Sequence, residues 1–233
     1  MIETTTVGPA SAHAFDPALS RSALSRAATH LELTDGRRIR LPVRRWHATA
    51  AGSDHWMLDR CAGPTLDLGC GPGRFVAGLH AAGVPALGVD YSRQAVHLTR
   101  RRGAPAVHRD LFARLPAEGR WSHILLADGN IGIGGDPLTL LRRTVALLAP
   151  GGSVLVETAS PADGLWRGSA RLHGPARNAG SWFPWSTVGL AAVPGLARAA
   201  GLCAVEAVTH GLGSNERSFA RLIQQQSDRG CHG

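Results

Sequence analysis

The segment Thr65-Leu66-Asp67-Leu68-Gly69-Cys70-Gly71-Pro72-Gly73-Arg74-Phe75 constrains the fold of this chain more than any other. A short apolar run reads as a buried strand, the alternating glycines as a sharp turn, and the stretch from Phe75 as a helix. Glycines there tolerate left-handed backbone and let a ligand approach without interference from a Cβ. The same rhythm continues downstream. Candidate strands are Thr65–Leu68, Ala86–Val89, Ala106–Arg109, Ile124–Ala127 and Ser153–Thr158, with helices Phe75–Ala82, Arg93–Arg102 and Leu138–Leu148 between them. Short, mostly apolar strands alternating with helices predict a doubly wound α/β domain on a parallel sheet covered on both faces.

The pieces around this core have weaker signals. Residues 1–15 are small, polar and aperiodic, and are expected to be disordered. Asp16 to His30 suits a helix with Asp16 as N-cap and Pro17 in its first turn. Leu31 and Leu33 alternate, as do Ile39 and Leu41, about an Asp35-Gly36 turn, so a β-hairpin follows. A second short helix, capped by Ser53, carries Trp56, Met57 and Leu58. These pieces make residues 16–53 a helix/β-hairpin appendage before a main domain at 54–224. Ser160–Pro184 is rich in Gly, Pro, Arg and Trp and is expected to be a lid or binding loop. Ser186–Ala200 looks helical, with Pro194 and Gly195 interrupting it. Cys203–His210 and Arg217–Gln224 would be final strands, and residues 225–233 a frayed tail.

Composition narrows the class. A length of 233 residues suits one domain with a small appendage. No apolar run reaches the roughly 18 residues of a membrane span, and the start lacks the basic and apolar regions of a secretory signal, so a soluble cytoplasmic protein is expected. The formal charge of +8 invites a nucleic-acid partner, but all 25 basic residues are Arg and they are dispersed. A phosphate-binding surface uses Lys as well, so the charge fits solvated surface better than a nucleic-acid footprint. The four cysteines form no CxxC pair, and the 11 histidines show no metal-ligand spacing beside them. Reduced thiols and no metal are expected.

Chemistry enters with Asp67. A dinucleotide fingerprint is G-x-G-x-x-G; here Gly69, Gly71 and Gly73 are spaced G-x-G-x-G, and Arg74 stands where the third glycine would fall. A carboxylate just before the turn repels a pyrophosphate and favours a cation. S-adenosylmethionine has an ammonium, a sulfonium and no phosphate, so the local electrostatics prefer it. Asp90 ends the next strand, where a carboxylate can accept both ribose hydroxyls, and Tyr91 can lie against the adenine or ribose. Asp110, after the third strand, can take the adenine amino group, with the Leu111 backbone at the ring edge. Taken singly, Asp90 is as well explained as a helix cap and Asp110 as a loop turn. Together, three acidic residues at the carboxyl ends of successive strands line the crevice where open α/β sheets bind ligands.

These residues carry a resemblance. DLGCGPGR followed by GVDYS resembles motif I and its successor in class I S-adenosylmethionine-dependent methyltransferases of the small-molecule type. The likeness continues through Asp110, through Leu126-Ala127-Asp128-Gly129-Asn130, and through the LxPGGxLxxE-like turn Leu148–Glu157. It implies a Rossmann-like seven-stranded sheet whose last strand is antiparallel. It also implies that Asp67, Gly69, Gly71 and Gly73 hold the methionine end, Asp90 the ribose, and Asp110 with Leu111 the adenine. Cys70, Tyr91 and Asp128 are counted with these as cofactor-binding residues. S-adenosylhomocysteine would be the product.

Methyl transfer needs alignment and desolvation more than an obligatory catalytic residue. The segment Ala127–Asp136 should border the methyl group, and it lacks the [D/N]-P-P-[Y/F] pattern of enzymes acting on nucleic-acid base amines. Asn130 either orients an acceptor or simply makes the turn. Five of the six tryptophans fall at positions 46, 56, 166, 182 and 185, in the appendage and the 160–185 region or beside them. Trp46, Arg171 and Trp185, with Asn130, are the candidate acceptor-binding residues, suited to a planar or anionic small molecule. The same tryptophans could instead glue the appendage to the sheet. His47 and His173 are the candidate bases. The competing functions are an RNA methyltransferase, an NAD-type oxidoreductase, and a methyltransferase-like binding protein without turnover. Oligomeric state is left open.

Overall fold

The computed structural model describes residues 15–19, 29–159, 164–173, 179–211, 213 and 216–224. The disorder expected at the first residues and in the 225–233 tail lies outside them, Phe15 excepted. The central layer is a seven-stranded sheet in the order β10-β11-β7-β6-β3-β4-β5. Its parallel strands are β3 (Thr65–Leu68), β4 (Ala86–Asp90), β5 (Ala106–His108), β6 (Trp121–Leu126) and β7 (Leu148–Thr158). β10 (Leu202–His210) and β11 (Arg217–Gln224) close one edge, with β11, the last strand, antiparallel to both neighbours. The strand starts and ends differ from the sequence expectation by a few residues at β6 and β7, where buried neighbours extend the ladder.

Burial on both faces explains the near-continuous apolar strands. Leu66, Leu68, Ile124, Leu126, Val154 and Val156 face one core, against helices α6 (Pro137–Leu147) and α7 (Val193–Ala199). Leu125, Leu155 and Phe219 face the other, against Trp56, Phe75 and Leu79. The period of two divides adjacent residues of β6 between the cores. Helices α4 (Arg74–Ala81) and α5 (Arg93–Arg101) cover the second face; Val76 and Val96 pack there with Cys70. Each fully buried leucine contributes roughly 1.5–3 kcal/mol by transfer from water. Asp136 caps α6, accepting Leu138 N–H at 3.2 Å, and Ser92 caps α5, accepting Ala95 N–H at 3.1 Å.

A second, four-stranded sheet sits over the carboxyl end of the first, in the order β2-β1-β8-β9. The expected hairpin, β1 (His30–Leu33) and β2 (Arg38–Arg40), supplies half of it. The other half corrects an expectation: Ser160–Pro184 is not a loop, because Leu165–His173 forms β8 and β9 (Phe183–Val188) begins at its end. Residues 160–163 and 174–178 lie outside the described part. Leu31 pairs with Leu172, Leu33 with Ala170, and Ala170 with Phe183, giving the sheet one apolar face. Partners some 140 residues apart left no local signal in the sequence.

Smaller corrections follow the same logic. Ser186–Val188 ends β9 instead of starting a helix, and the helix begins only at Val193, with Pro194 in its first turn. Helix α1 (Asp16–Leu19) does start at Asp16, but His30 belongs to β1 and residues 20–28 lie outside the description. Short helices α2 (Val43–His47) and α3 (His55–Leu58) complete the amino-terminal part. Ser53 does not cap α3; it sits in a 3-10 turn where Asp54 accepts Ala51 N–H at 3.1 Å. Cys61 and Cys70 are free and buried, and Cys203 lies half-buried on edge strand β10.

Candidate active site

Where β3 ends, Gly69, Gly71 and Gly73 have φ of +74°, +53° and +80°, a region that disfavours any Cβ. Each glycine then does something different. A Cβ on Gly69 would lie 2.6 Å from Asn130 Nδ2; its absence lets that amide donate to Leu68 O at 3.0 Å and Gly69 O at 2.8 Å. A Cβ on Gly73 would lie 2.5 Å from Thr99 Cγ2, so Gly73 serves close packing of α4 on α5. Nothing lies within 4 Å of Gly71's missing Cβ, which leaves open backbone facing a cavity of about 410 Å³. That volume suits a small-molecule site.

The three strand-end carboxylates converge on this cavity. Asp67 is 2% exposed and its Oδ1 has no hydrogen-bond partner. Burial pushes its carboxyl up to about 7, against the attraction of Arg74. A buried carboxylate oxygen without a partner is costly, and a cation placed beside it would offset that cost. Asp90 ties the turn to the next strand: Oδ2 accepts Gly71 N–H at 2.9 Å and Oδ1 accepts Ser92 N–H at 2.8 Å. Burial raises its pKa despite those donors. Asp110 Oδ1 accepts Phe112 N–H at 2.9 Å, a local turn that holds the carboxylate beside buried Leu111. Tyr91 lines the same end, its ring edge-on to His108 at 5.7 Å.

Beneath the other end lies a closed ring of alternating charges. Arg45 meets Asp128 at 2.7 Å, Asp128 meets Arg74 at 3.1 Å, and Arg74 meets Asp54 at 3.1 Å. Asp54 meets Arg217 at 2.8 Å, Arg217 meets Glu157 at 2.7 Å, and Glu157 meets Arg45 at 3.2 Å. Arg74 touches its carboxylates at ion-pair distance but outside hydrogen-bond angles. Asp128, with a left-handed φ of 53°, donates its N–H to Glu157 Oε2 at 2.8 Å. Burial works against its ionisation, but Arg74 and Arg45 outweigh it and hold its pKa below the usual range. Burial likewise opposes the Arg217 charge, and Glu157 outweighs it, so that pKa is raised. The six residues come from six separate segments. No spacing rule could have joined them, although Arg74, Asp128 and Glu157 fell within the recognised motifs.

Four aromatic rings wall the remaining side. Phe15 lies 6.3 Å from Trp46, 5.5 Å from Phe183 and 5.8 Å from Trp185. Of the candidate acceptor residues, Trp46, Asn130 and Trp185 line the cavity. Arg171 does not: it pairs with Glu32 at 2.7 Å and covers Trp182 at 4.6 Å. His173 also bonds Glu32. Strand parity is the reason, since Ala170 and Leu172 point inward and Arg171 and His173 outward. His47 follows the lining residues Arg45 and Trp46 on α2, yet its ring is absent from the lining, and burial and then Arg102 lower its pKa. No histidine is among the described residues of the lining. Gly73 is likewise absent from it, whereas Gly69, Cys70, Gly71 and Asp128 are present. Phe15, at the end of the segment expected to be disordered, and Phe183, inside the expected loop, were missed.

No helix among the described residues is long and apolar enough to cross a membrane. A family model described as a methyltransferase domain matches residues 36–225. The trans-aconitate 2-methyltransferase of Paracidovorax citrulli (strain AAC00-1) is 30% identical over 122 residues, covering 49% of this chain and 47% of the relative. The chain thus spans about half the length of that curated relative. A S-adenosylmethionine-dependent methyltransferase from Bacteroides fragilis, solved with S-adenosyl-L-homocysteine, has a TM-score of 0.73 at 20% identity, covering 94% of this chain and 98% of that one. The 1,6-didemethyltoxoflavin-N1-methyltransferase of Burkholderia thailandensis has a TM-score of 0.55 at 20% identity, covering 74% and 75%. Both share the fold described above.

Proposed function

This chain belongs to the methyltransferase-domain family matched over residues 36–225, and we propose that it transfers the methyl group of S-adenosylmethionine to an O, N or C atom of a small-molecule acceptor. One observation carries the cofactor: Asp67 is buried, with Oδ1 unpartnered, in the wall of a cavity lined by Asp90 and Asp110. S-adenosylmethionine, when bound, supplies an activated methyl group on a sulfonium and an ammonium that this carboxylate fits. Asp67 and the open Gly69-Cys70-Gly71 backbone would hold the methionine end, in front of Asp128. Asp90 has used one lone pair on each oxygen, and a carboxylate has about four, so both ribose hydroxyls can still be accepted. Tyr91, Asp110 and Leu111 would take the adenine.

The chain's residues contribute alignment and exclusion of water in this account. Asn130 donates from Nδ2 to two carbonyls at the glycine turn, so it fixes the floor of the site with both N–H groups engaged and only Oδ1 left for an acceptor. The aromatic walls shape the acceptor pocket. His47 and His173 lie off the cavity, and replacing either by Ala is expected to leave turnover within about twofold. The curated relative and the Burkholderia neighbour, both named for small molecules, support the small-molecule class.

Calorimetric titration with S-adenosylmethionine, S-adenosylhomocysteine and NADH tests this. Both adenosyl ligands should bind and NADH should not, and Asp90→Ala should weaken them at least tenfold. Binding of NADH alone would replace this function with an oxidoreductase.

A further inference from the structure

The acceptor end of the cavity has a chemistry of its own. Along β9, residues 183, 185 and 187 share one face. Phe183 and Trp185 belong to the aromatic wall, so the next side chain in that row is Thr187. Thr187 is 6% exposed, lines the cavity, and its Oγ1 has no hydrogen-bond partner. Ala159 N–H donates to Val188 O at 2.9 Å, which places this end of β9 beside the end of β7 and therefore near Glu157. Arg45, paired to Glu157 through its terminal nitrogen, also lines the cavity and has a buried Nε without a partner. Two residues of the lining thus each carry a buried polar atom whose hydrogen bond is unmade, and a buried polar group without a partner costs about 1–3 kcal/mol.

Charge decides what can fill the space. Arg45 cannot offer a spare positive charge, because the ring it belongs to balances three guanidinium groups with three carboxylates. The remaining charges at this end, Arg40 and Glu216, are solvent-exposed and opposite in sign. The cofactor end adds Asp67, Asp90 and Asp110 against Arg109. An anionic acceptor would lose its hydration and meet no unmatched cation among the side chains of the lining.

We propose that the box formed by Phe15, Trp46, Phe183 and Trp185, with Thr187 Oγ1 and Arg45 Nε as its two hydrogen-bonding atoms, binds a flat, uncharged aromatic or heteroaromatic acceptor through an oxygen or ring nitrogen. This deepens the function proposed above and rests on it for the cofactor half of the cavity. The rings supply faces and edges for a planar molecule, and the two polar atoms fix which edge points inward. The same charge balance disfavours a polycarboxylate acceptor.

The test uses the whole chain saturated with S-adenosylhomocysteine and three probes: 2-naphthol, 2-naphthoate and the non-aromatic tricarboxylate tricarballylate. Binding is followed by tryptophan fluorescence and by calorimetry, in the wild type and in Thr187→Val, which keeps side-chain shape. Naphthol should bind more tightly than either anion. Thr187→Val should weaken it about fivefold, the equivalent of one hydrogen bond, and leave S-adenosylhomocysteine affinity unchanged. Tighter binding of either carboxylate, equal naphthol affinity in the variant, or no naphthol binding would each overturn the proposal. If S-adenosylhomocysteine itself fails to bind, the cofactor assignment falls. The box is then judged on the protein alone: naphthol binding that depends on Thr187 upholds it, and binding that does not overturns it.

Discussion

Asp67 concentrates the tension between stability and function in a single side chain. Its carboxyl rises from 3.8 to about 7 because it is buried, and Arg74 only partly offsets that. A raised pKa in the folded state means that its contribution favours the fold below the unfolded value near 4 and is lost as pH rises through about 7. At about three units and full burial, the loss is at most on the order of 4 kcal/mol. Asp67→Asn should therefore raise the Tm of the ligand-free protein at pH 8, change it little at pH 4, and weaken S-adenosylmethionine at least a hundredfold. Equal Tm gains at both pH values would mean that the carboxylate is not the source. Gly69 tests the turn itself. With φ at +74° and Asn130 Nδ2 2.6 Å from a built Cβ, Gly69→Ala should cost about 1–3 kcal/mol in denaturant unfolding. At this scale the sequence was informative because the needed residues are contiguous: the glycines, Asp67 and Asp90 sit within one strand-turn-helix-strand unit. It misled at Arg171 and His173 because the inward or outward parity of a strand cannot be assigned before the strand itself is recognised.

Among the elements, the parallel strands and their helices were legible from period and glycine punctuation, whereas β8 was not. Its Leu-Trp-Arg-Gly-Ser-Ala-Arg-Leu-His run alternates only after Ala170 and Leu172 are seen to face Leu33 and Leu31. Local composition argued for a loop, and pairing with β1 overrode it. The small sheet that results makes the amino-terminal hairpin a wall of the cavity. Leu31 is 2% exposed in that sheet's core. Leu31→Ala should cost about 2–5 kcal/mol in chemical denaturation and raise the acceptor KM more than the cofactor Kd. An unchanged acceptor KM would detach the sheet from function.

Across the whole molecule, the six-membered charge ring joins the amino-terminal helices to the glycine turn, to the ends of β6 and β7, and to β11. Its members lie from residue 45 to residue 217, which is why no motif announced it. Breaking one buried pair leaves the other charge uncompensated, a cost of about 3–5 kcal/mol. Arg217→Met should show that loss in the unfolding midpoint, whereas Arg38→Ala, on an exposed pair 4.0 Å from Glu32, should cost less than about 1 kcal/mol. Similar small losses in both would show that the ring does not hold these elements together. The ring also holds Asp128 ionised and in place in the cavity wall, so the same framework that ties the elements together sets the electrostatics of the cavity that Asp67 faces.

The central claim, a cavity whose buried Asp67 receives the cofactor's ammonium, is tested most directly by the pH dependence of S-adenosylhomocysteine binding. Calorimetric titration at pH 8 and pH 6, on the wild type and Asp67→Asn, supplies it. With Asp67 ionising at about 7 in the free protein, affinity should fall about tenfold between pH 8 and pH 6 in the wild type. In the variant it should be weak and flat. A wild type with the variant's affinity and no pH dependence would contradict the account.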